Sequence, residues 1–445
     1  MTMSHTTRLV SVALALTTSL ALAPALGAQD GTSIARRVAA APDGEVRLTY
    51  STRPDVCGDG RDGVSIRRSM FFSDRVESYG SFSGMRCVDG PARVTLTVRD
   101  RKVTEVRTRV GGSWPTGGAS GVTDLGRVSA SEAAAYFIAL VPQLDGPSRR
   151  HNPMLAAAVA DSVNIAPEML RLARTTTLSR ETRRRAVHWA GALGDASMVA
   201  PLTELARANG SDRNTSADDV GPGSGLEGAA VGALSMIPDD AGIPALMTLA
   251  RDGSTSVRKA AVFWLGQRDD ERGRALVRTV AGDEREQEAV RSAAIFALGQ
   301  GESATPADQK FLESLFDRLS SEKLKERVLF SMSQRESSDG ARWLLDKARD
   351  ERQPMEVRRK AVFWAGQGHA EVADISSLYG SARDERLKEH IIFVLSQRRE
   401  DAATTKLISI AKEDPDREMR KKALFWLAQK DDPRVTKLLT DMVVR

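Results

Sequence analysis

The sequence predicts a mainly α-helical chain. It reads as an α-solenoid, a stack of helix pairs, preceded by a small β-rich domain pinned by a disulfide. Three observations carry this reading. An eleven-residue motif recurs eight times between residues 182 and 429. Strand-like alternation is confined to an early stretch at 44–112. The only two cysteines, Cys57 and Cys87, fall in that same stretch. With 445 residues the chain exceeds one ordinary core, so several domains or a repeat array are expected. Hydrophobic residues make up 41% and charged residues 28%, which fits a folded protein and excludes wholesale disorder. The net charge of +5 is spread among nearly as many acids as bases, a poor signature for a polyanion binder.

Residues 1–28 read as a secretory signal. His5 and Arg8 precede an apolar run from Leu9 to about Leu22, and Ala23-Pro24-Ala25-Leu26-Gly27-Ala28 supplies small residues for cleavage. Thr17, Thr18 and Ser19 interrupt the run, which is too short for a comfortable span. No cysteine follows it to carry a lipid, and no later segment is apolar enough to cross a bilayer. The expectation is therefore an exported protein, periplasmic or extracellular, in which Cys57 and Cys87 pair. Residues 29–43 read as a flexible lead-in.

From 44 to 112 the pattern has period two. Val46, Leu48 and Tyr50 alternate with Arg47 and Thr49, and Val94, Leu96 and Val98 with Thr95 and Thr97. Val103, Val106 and Val110 mark a further stretch, with Asp100-Arg101-Lys102 as the turn of a hairpin, and Met70-Phe71-Phe72 marks another strand. Residues 113–128 are Gly-rich and read as a linker. The solenoid is expected over 129–445, beginning with helices near 129–141, 152–162 and 166–176.

The motif runs Val257-Arg258-Lys259-Ala260-Ala261-Val262-Phe263-Trp264-Leu265-Gly266-Gln267. It recurs at 290–300, 324–334, 357–367, 387–397 and 419–429, with degenerate copies at 182–192 and 226–236. The last positions step by 44, 31, 33, 34, 33, 30 and 32 residues, and the long step holds a Gly/Ser/Asp-rich insertion at 209–225. Apolar residues at the first, fifth, eighth and ninth positions define one helix face. A second amphipathic helix lies between copies, as at Ile243–Ala250, Phe311–Leu319, Trp343–Ala348 and Leu407–Ala411. Units with one apolar face each must stack to bury it.

The pattern apolar-Arg-x-x-Ala-x-x-x-Leu-Gly resembles the second helix of HEAT repeats, in the short bacterial form related to bilin-lyase HEAT-like repeats. The resemblance covers about 165–445. It implies a right-handed superhelix whose second helices line a concave binding surface. It also implies that the basic second position, at Arg183, Arg258, Arg291, Lys325, Arg358, Lys388 and Arg420, pairs with acids of neighbouring repeats. Two departures stand out. Trp189, Trp264, Trp364 and Trp426 occupy a position usually held by Ala, and read as core. Phenylalanines occupy a position that is often polar.

Those phenylalanines suggest a binding stripe. Phe263 and Gln267 are four apart, hence on one helix face, and Lys259 joins them. The pairing repeats as Phe296 and Gln300, Phe330 and Gln334, Phe363 and Gln367, Phe393 and Gln397, and Phe425 and Gln429. Such a ridge would suit a protein or peptide partner. Catalytic chemistry finds no foothold: no His-Glu-x-x-His motif, nucleophile elbow or phosphate loop is present. His151, His188, His369 and His390 lack metal-ligand spacing. Asp55, Asp59 and Asp62 could meet a calcium ion but lack EF-hand spacing, and a simple turn explains them as well. The expectation is a non-catalytic scaffold with no cofactor and no metal. The alternatives are an envelope enzyme, lyase-like or using the solenoid to recruit substrate, and a polyanion or nucleic-acid binder.

Overall fold

The computed structural model describes residues 31–61, 63–66, 70–73, 87–114, 121–146, 153–210, 221, 223, 225–300, 305–335 and 338–443. The segment read as a secretory signal lies outside the described residues. The chain divides into two compact units. One runs essentially to Val163, and the other is Asn164–Arg445 with the short pieces Ile66–Phe71 and Asp145–Arg149.

The first unit opens with helix α1 (Gly31–Ala40), followed by strands β1 (Gly44–Tyr50), β2 (Val56–Gly58), β3 (Gly63–Ile66), β4 (Met70–Ser73), β5 (Ala92–Arg99), β6 (Lys102–Val110) and β7 (Val122–Arg127), then α2 (Ala130–Leu140) and α3 (Pro153–Ala158). Four strands form a sheet in the order β6-β5-β1-β7, and β2-β3-β4 form a smaller one. The alternation has its expected outcome. Val46, Leu48, Tyr50, Val94, Leu96 and Val98 are all fully buried on one sheet face. Tyr50 lies 6.1 Å from the ring of Phe137 in α2 and donates its hydroxyl to the Ala156 carbonyl of α3 at 2.6 Å. The β5–β6 turn places Asp100 and Arg101 at φ 51° and 60°, the left-handed pair of a type I′ hairpin. Cys57 and Cys87 are joined, with Cα atoms 5.4 Å apart, and beside them Gly58 and Val88 exchange backbone hydrogen bonds of 3.0 and 2.8 Å.

Three expectations need correction here. Within the lead-in at 29–43, residues 31–40 form α1, because Ile34 and Val38 give the segment a buried stripe, and the Glu132 carboxylate of α2 accepts from the Ile34 amide at 3.0 Å. Within the linker at 113–128, residues 122–127 form β7, paired parallel to β1. A polar strand that borrows its order from a remote neighbour carries no alternation to betray it. The unit boundary also falls later than 128, since α2 and α3 cover the sheet of the first unit.

The second unit is a helical solenoid of eight pairs: α4 (Ala166–Arg174) with α5 (Arg180–Ala192), α6 (Val199–Asn209) with α7 (Leu226–Met236), α8 (Ile243–Asp252) with α9 (Thr255–Gly266), α10 (Glu271–Gly282) with α11 (Glu288–Gly299), α12 (Pro306–Arg318) with α13 (Glu322–Ser333), α14 (Ser338–Arg349) with α15 (Met355–Gln367), α16 (Val372–Ser381) with α17 (Glu385–Gln397), and α18 (Asp401–Glu413) with α19 (Arg417–Leu427). A last helix, α20 (Pro433–Val443), follows. Short polar residues start many of them. Ser179, Asp270, Ser321, Asp384 and Asp416 each accept a first-turn amide, and Thr305 with Asp308 forms a capping box on α12. The second helices pack on one another along the array, whereas the first helices barely touch their counterparts.

The tenth motif position sets that spacing. A Cβ built on Gly191 would fall 2.6 Å from Ala233 of the next second helix, and one on Gly266 2.6 Å from Ala297. Gly299 faces Ser331 and Gly366 faces Val394 in the same way. Where the next helix carries Trp at its eighth position, the tenth residue is Ser instead: Ser235 before Trp264, Ser333 before Trp364, Ser396 before Trp426. Each of these serines donates to a carbonyl of its own helix, at Gly232, Phe330 and Phe393.

Leu265 is fully buried in this layer. Leu265→Ala is expected to destabilise the solenoid by about 2–4 kcal/mol, read from urea unfolding, and an effect near zero would refute the face assignment. Reducing the disulfide, which closes 30 residues, is expected to remove about 3–4 kcal/mol from the first unit. The 222 nm helical signal should stay nearly intact.

Candidate functional site

The six motif phenylalanines lie on the second-helix layer, where rings of neighbouring helices form an aromatic ridge. Phe263, Phe296, Phe330, Phe363 and Phe393 are half-buried, and Phe425 is 60% exposed. The rings meet across repeats. Phe263 and Phe296 stack at 6.2 Å, and Phe296 and Phe330 at 5.9 Å with planes 3° apart. Beyond Phe330 the rows are bridged by tryptophan. Trp364 meets Phe330 at 4.8 Å and Phe363 at 4.9 Å, both edge-on, and Trp426 meets Phe393 at 5.3 Å and Phe425 at 5.2 Å. The Arg327 guanidinium lies over the Phe296 and Phe330 rings, 6.0 and 5.8 Å from their centroids.

Two assignments change with this geometry. Trp189 is core, but Trp264, Trp364 and Trp426 are only half-buried and belong to the ridge. Lys259, placed on the stripe by spacing, is 2% exposed and does not line it; Arg359 and Lys421 do, held by Glu356 at 2.9 Å and Glu418 at 2.7 Å one turn earlier. The glutamines edge the ridge. The amide nitrogens of Gln334, Gln397 and Gln429 donate only within their own helices, to Ser333, Ser396 and the Phe425 carbonyl. The Gln300 amide nitrogen is buried without a partner, while Gln367 is exposed and Gln267 half-buried.

The basic second position does not form the acid ladder that the resemblance implies. Among the described residues only Arg258 has such a partner, Glu286 at 2.9 Å. Arg183, Arg291 and Arg358 donate to the carbonyls of Ala173, Ala281 and Ala348, at the end of the first helix of their own pair. Arg420 does the same at Asp414, Lys325 reaches Gln353, and Lys388 lies over the Tyr379 ring. The reason is local: the short turn delivers the helix C-terminus, with its orphan carbonyls and negative dipole end, to the first turn of the partner helix. Links between repeats come from the fourth motif position, where Lys360 and Lys422 pair with Glu326 and Glu389 at 2.6 Å, and from one residue past the motif. Arg398 donates to Gly366, Lys430 to Arg398 and Arg335 to Thr305, each at 2.7–2.8 Å.

Sequence reasoning missed one charged site entirely. Arg274 (1% exposed) and Asp308 (0%) form a buried pair between α10 and α12, joined by Arg278 at 2.7 Å. Burial alone would raise the Asp308 carboxyl; hydrogen bonds from Thr305, Arg274 and Arg278 outweigh it and hold it below the usual carboxylate range. Neither residue belongs to the motif, so no periodicity marked them. Asp59 accepts from the Arg61 and Gly63 amides at 2.7 and 3.0 Å, which is turn chemistry, and Asp55 faces Arg53. Asp62 and His151 lie outside the described residues. Among the described residues no cluster of His, Cys, Asp and Glu has the form of a metal site, and no helix is long and apolar enough to cross a membrane.

Residues 243–333 match the family model for HEAT repeats. No curated protein is matched by the sequence. Among solved structures the chain is similar to the complex of CpcE and CpcF of phycocyanin lyase from Nostoc sp. PCC7120, at 16% identity over 54% of this chain and 92% of that one, with a TM-score of 0.30. It is also similar to human deoxyhypusine hydroxylase, at 17% identity over 59% and 94%, TM-score 0.24. A homology model of the full-length AP-3 complex gives 16% identity over 63% and 53%, TM-score 0.36. Likenesses this distant say nothing about chemistry in this chain.

Burial lowers the imidazoles of His188 and His390 to about 4; at His390 the Arg359 charge adds to it. Both sit on the ridge layer, where a neutral ring packs against Trp189 and Phe393. A folded value below the unfolded one means that stability is full above the unfolded value of about 6.5 and is lost as pH falls toward 4. Urea midpoints should therefore drop across that window, and the drop should be smaller in a His188→Gln/His390→Gln double variant. Equal pH slopes in the two proteins would contradict it.

Proposed function

We propose that this HEAT-repeat protein is a non-catalytic scaffold of the cell envelope that holds a protein or peptide segment along its aromatic ridge. One observation carries the reading: the phenylalanines form two runs of touching rings, Phe263 to Phe363 and Phe393 to Phe425, that are neither buried nor isolated. A structural residue at a repeat interface is normally driven to full burial. These rings remain half-exposed over five successive second helices and reach 60% exposure at Phe425. Contiguous aromatic surface of this kind is favoured at interfaces, where rigid rings bury area at low entropic cost. The glutamines flank the rings, and exposed Gln334, Gln367, Gln397 and Gln429 would offer their side-chain carbonyls to peptide N–H groups. The second helices pack repeat against repeat, so a segment laid along them would touch many repeats at once.

Two further features support the reading without deciding it. The paired cysteines fit an oxidising compartment. The basic positions at the start of the second helices are mostly spent on helix ends, which leaves no continuous cationic track for a nucleic acid.

The test is retention of envelope proteins on the immobilised chain, compared with a Phe263→Ser/Phe363→Ser/Phe425→Ser variant of matching circular dichroism. A partner retained by the first and lost with the variant supports the ridge. Identical retention by both moves binding away from it and defeats the proposal.

A further inference from the structure

The four-stranded sheet of the first unit has a second face, and its register arranges charged side chains there as a grid. In the middle row Arg47 of β1 lies opposite Thr95 of β5, which lies opposite Arg107 of β6. In the next row Thr49 lies opposite Arg93, which lies opposite Arg109. Two arginines directly across a strand pair repel one another, an arrangement that sheets ordinarily avoid. Acids sit at the margin: Glu45 accepts from Arg47 at 3.3 Å, Glu105 from Arg107 at 2.6 Å, and Asp124 of β7 is in register with Arg47.

Arg93 is 4% exposed, and no carboxylate is among its hydrogen-bond partners. It donates to the carbonyls of Gly111 at 2.7 Å, Ser113 at 2.6 Å and Gly60 at 2.6 Å. Burial, and after it the Arg109 charge, works against its protonated form. Two guanidinium groups lie against the indole of Trp114, with Arg47 4.9 Å and Arg93 5.3 Å from its centroid. At the centre of the grid stands Thr95. It is 7% exposed, and its hydroxyl has no hydrogen-bond partner. A buried hydroxyl left unpaired costs free energy, and such a group in a native protein asks for a water or an ion. Across the two strand pairs it faces Arg47 and Arg107, each ion-paired with a glutamate, and Arg93 stands in the next row.

We infer that this sheet face binds an oxyanion, a carboxylate, sulfate or phosphate group, which accepts from the Thr95 hydroxyl and is held by the Arg47 and Arg93 guanidinium groups beneath Trp114. Nε and Nη2 of Arg47 are engaged by the two oxygens of Glu45, and each nitrogen of Arg93 already donates to a carbonyl, so the anion would take the guanidinium hydrogens left over, with its class set by charge and by the Thr95 donor. The site is independent of the ridge and stands or falls without it.

The experiment titrates the whole chain with sodium sulfate, phosphate and citrate against sodium chloride at equal ionic strength, following thermal unfolding and tryptophan emission. A saturable rise in the melting temperature beyond that of chloride is expected. An emission change should accompany it and be absent from Trp114→Phe. Thr95→Val, nearly isosteric, should weaken the response about tenfold or more by removing one charge-assisted hydrogen bond. Arg47→Met should weaken it comparably, both variants being checked by circular dichroism. A preference for citrate would assign a carboxylate ligand, and a preference for sulfate or phosphate a tetrahedral one. Responses no greater than that of chloride, or unchanged affinity in both Thr95→Val and Arg47→Met, would overturn the assignment.

Discussion

A helix pair with one apolar face has nowhere to hide it except against the next pair. Every other feature of the larger unit answers to that constraint. It explains why the spacing of the copies hardly varies, why Leu265 and its equivalents are fully buried, and why the motif's glycines stand where two second helices approach. It also explains the cations. Packing each pair tightly leaves helix C-termini inside the turn, and an arginine at the start of the partner helix is the nearest donor for their carbonyls. What resembles an electrostatic track in the sequence is thereby consumed in closing helix ends.

Much of this was legible in the chain itself. The repeats, their helix pairs and the strands at 44–50, 92–99 and 102–110 follow from periodicity, because burial on one face imprints the sequence directly. The cysteine pairing was legible from count and context. Helix α1 and strand β7 were not, since each depends on a remote neighbour: α1 on the Glu132 carboxylate, β7 on a parallel edge of β1. The buried Arg274–Asp308 pair was equally silent, because it occurs once and so has no period.

The ridge illustrates a finer limit. Spacing placed phenylalanine and glutamine on one face, and the structure keeps them there. Spacing could not say how far rings on neighbouring helices would shield one another, nor that Lys259 would be swallowed while Arg359 and Lys421 stay at the surface. Exposure is set by the distance between helices, and that distance is decided by small residues elsewhere in the motif. The tryptophans show the coupling: read as core filling, they become part of the surface once the helices around them are spaced by serine instead of glycine.

That alternation has a consequence for how such an array could lengthen. Glycine precedes a small residue on the following helix, and serine precedes tryptophan. A repeat is therefore not an interchangeable bead. Copying a Trp-and-Gly unit such as α8–α9 next to itself would set an indole against a glycine seat shaped for alanine. Copying it together with its serine-bearing predecessor, α6–α7, would recreate a serine–tryptophan seam inside the copied block and a glycine–alanine seam at the joint. A single pair can be copied beside itself where one second helix carries both the small eighth residue and the glycine, as α11 does with Ala297 and Gly299.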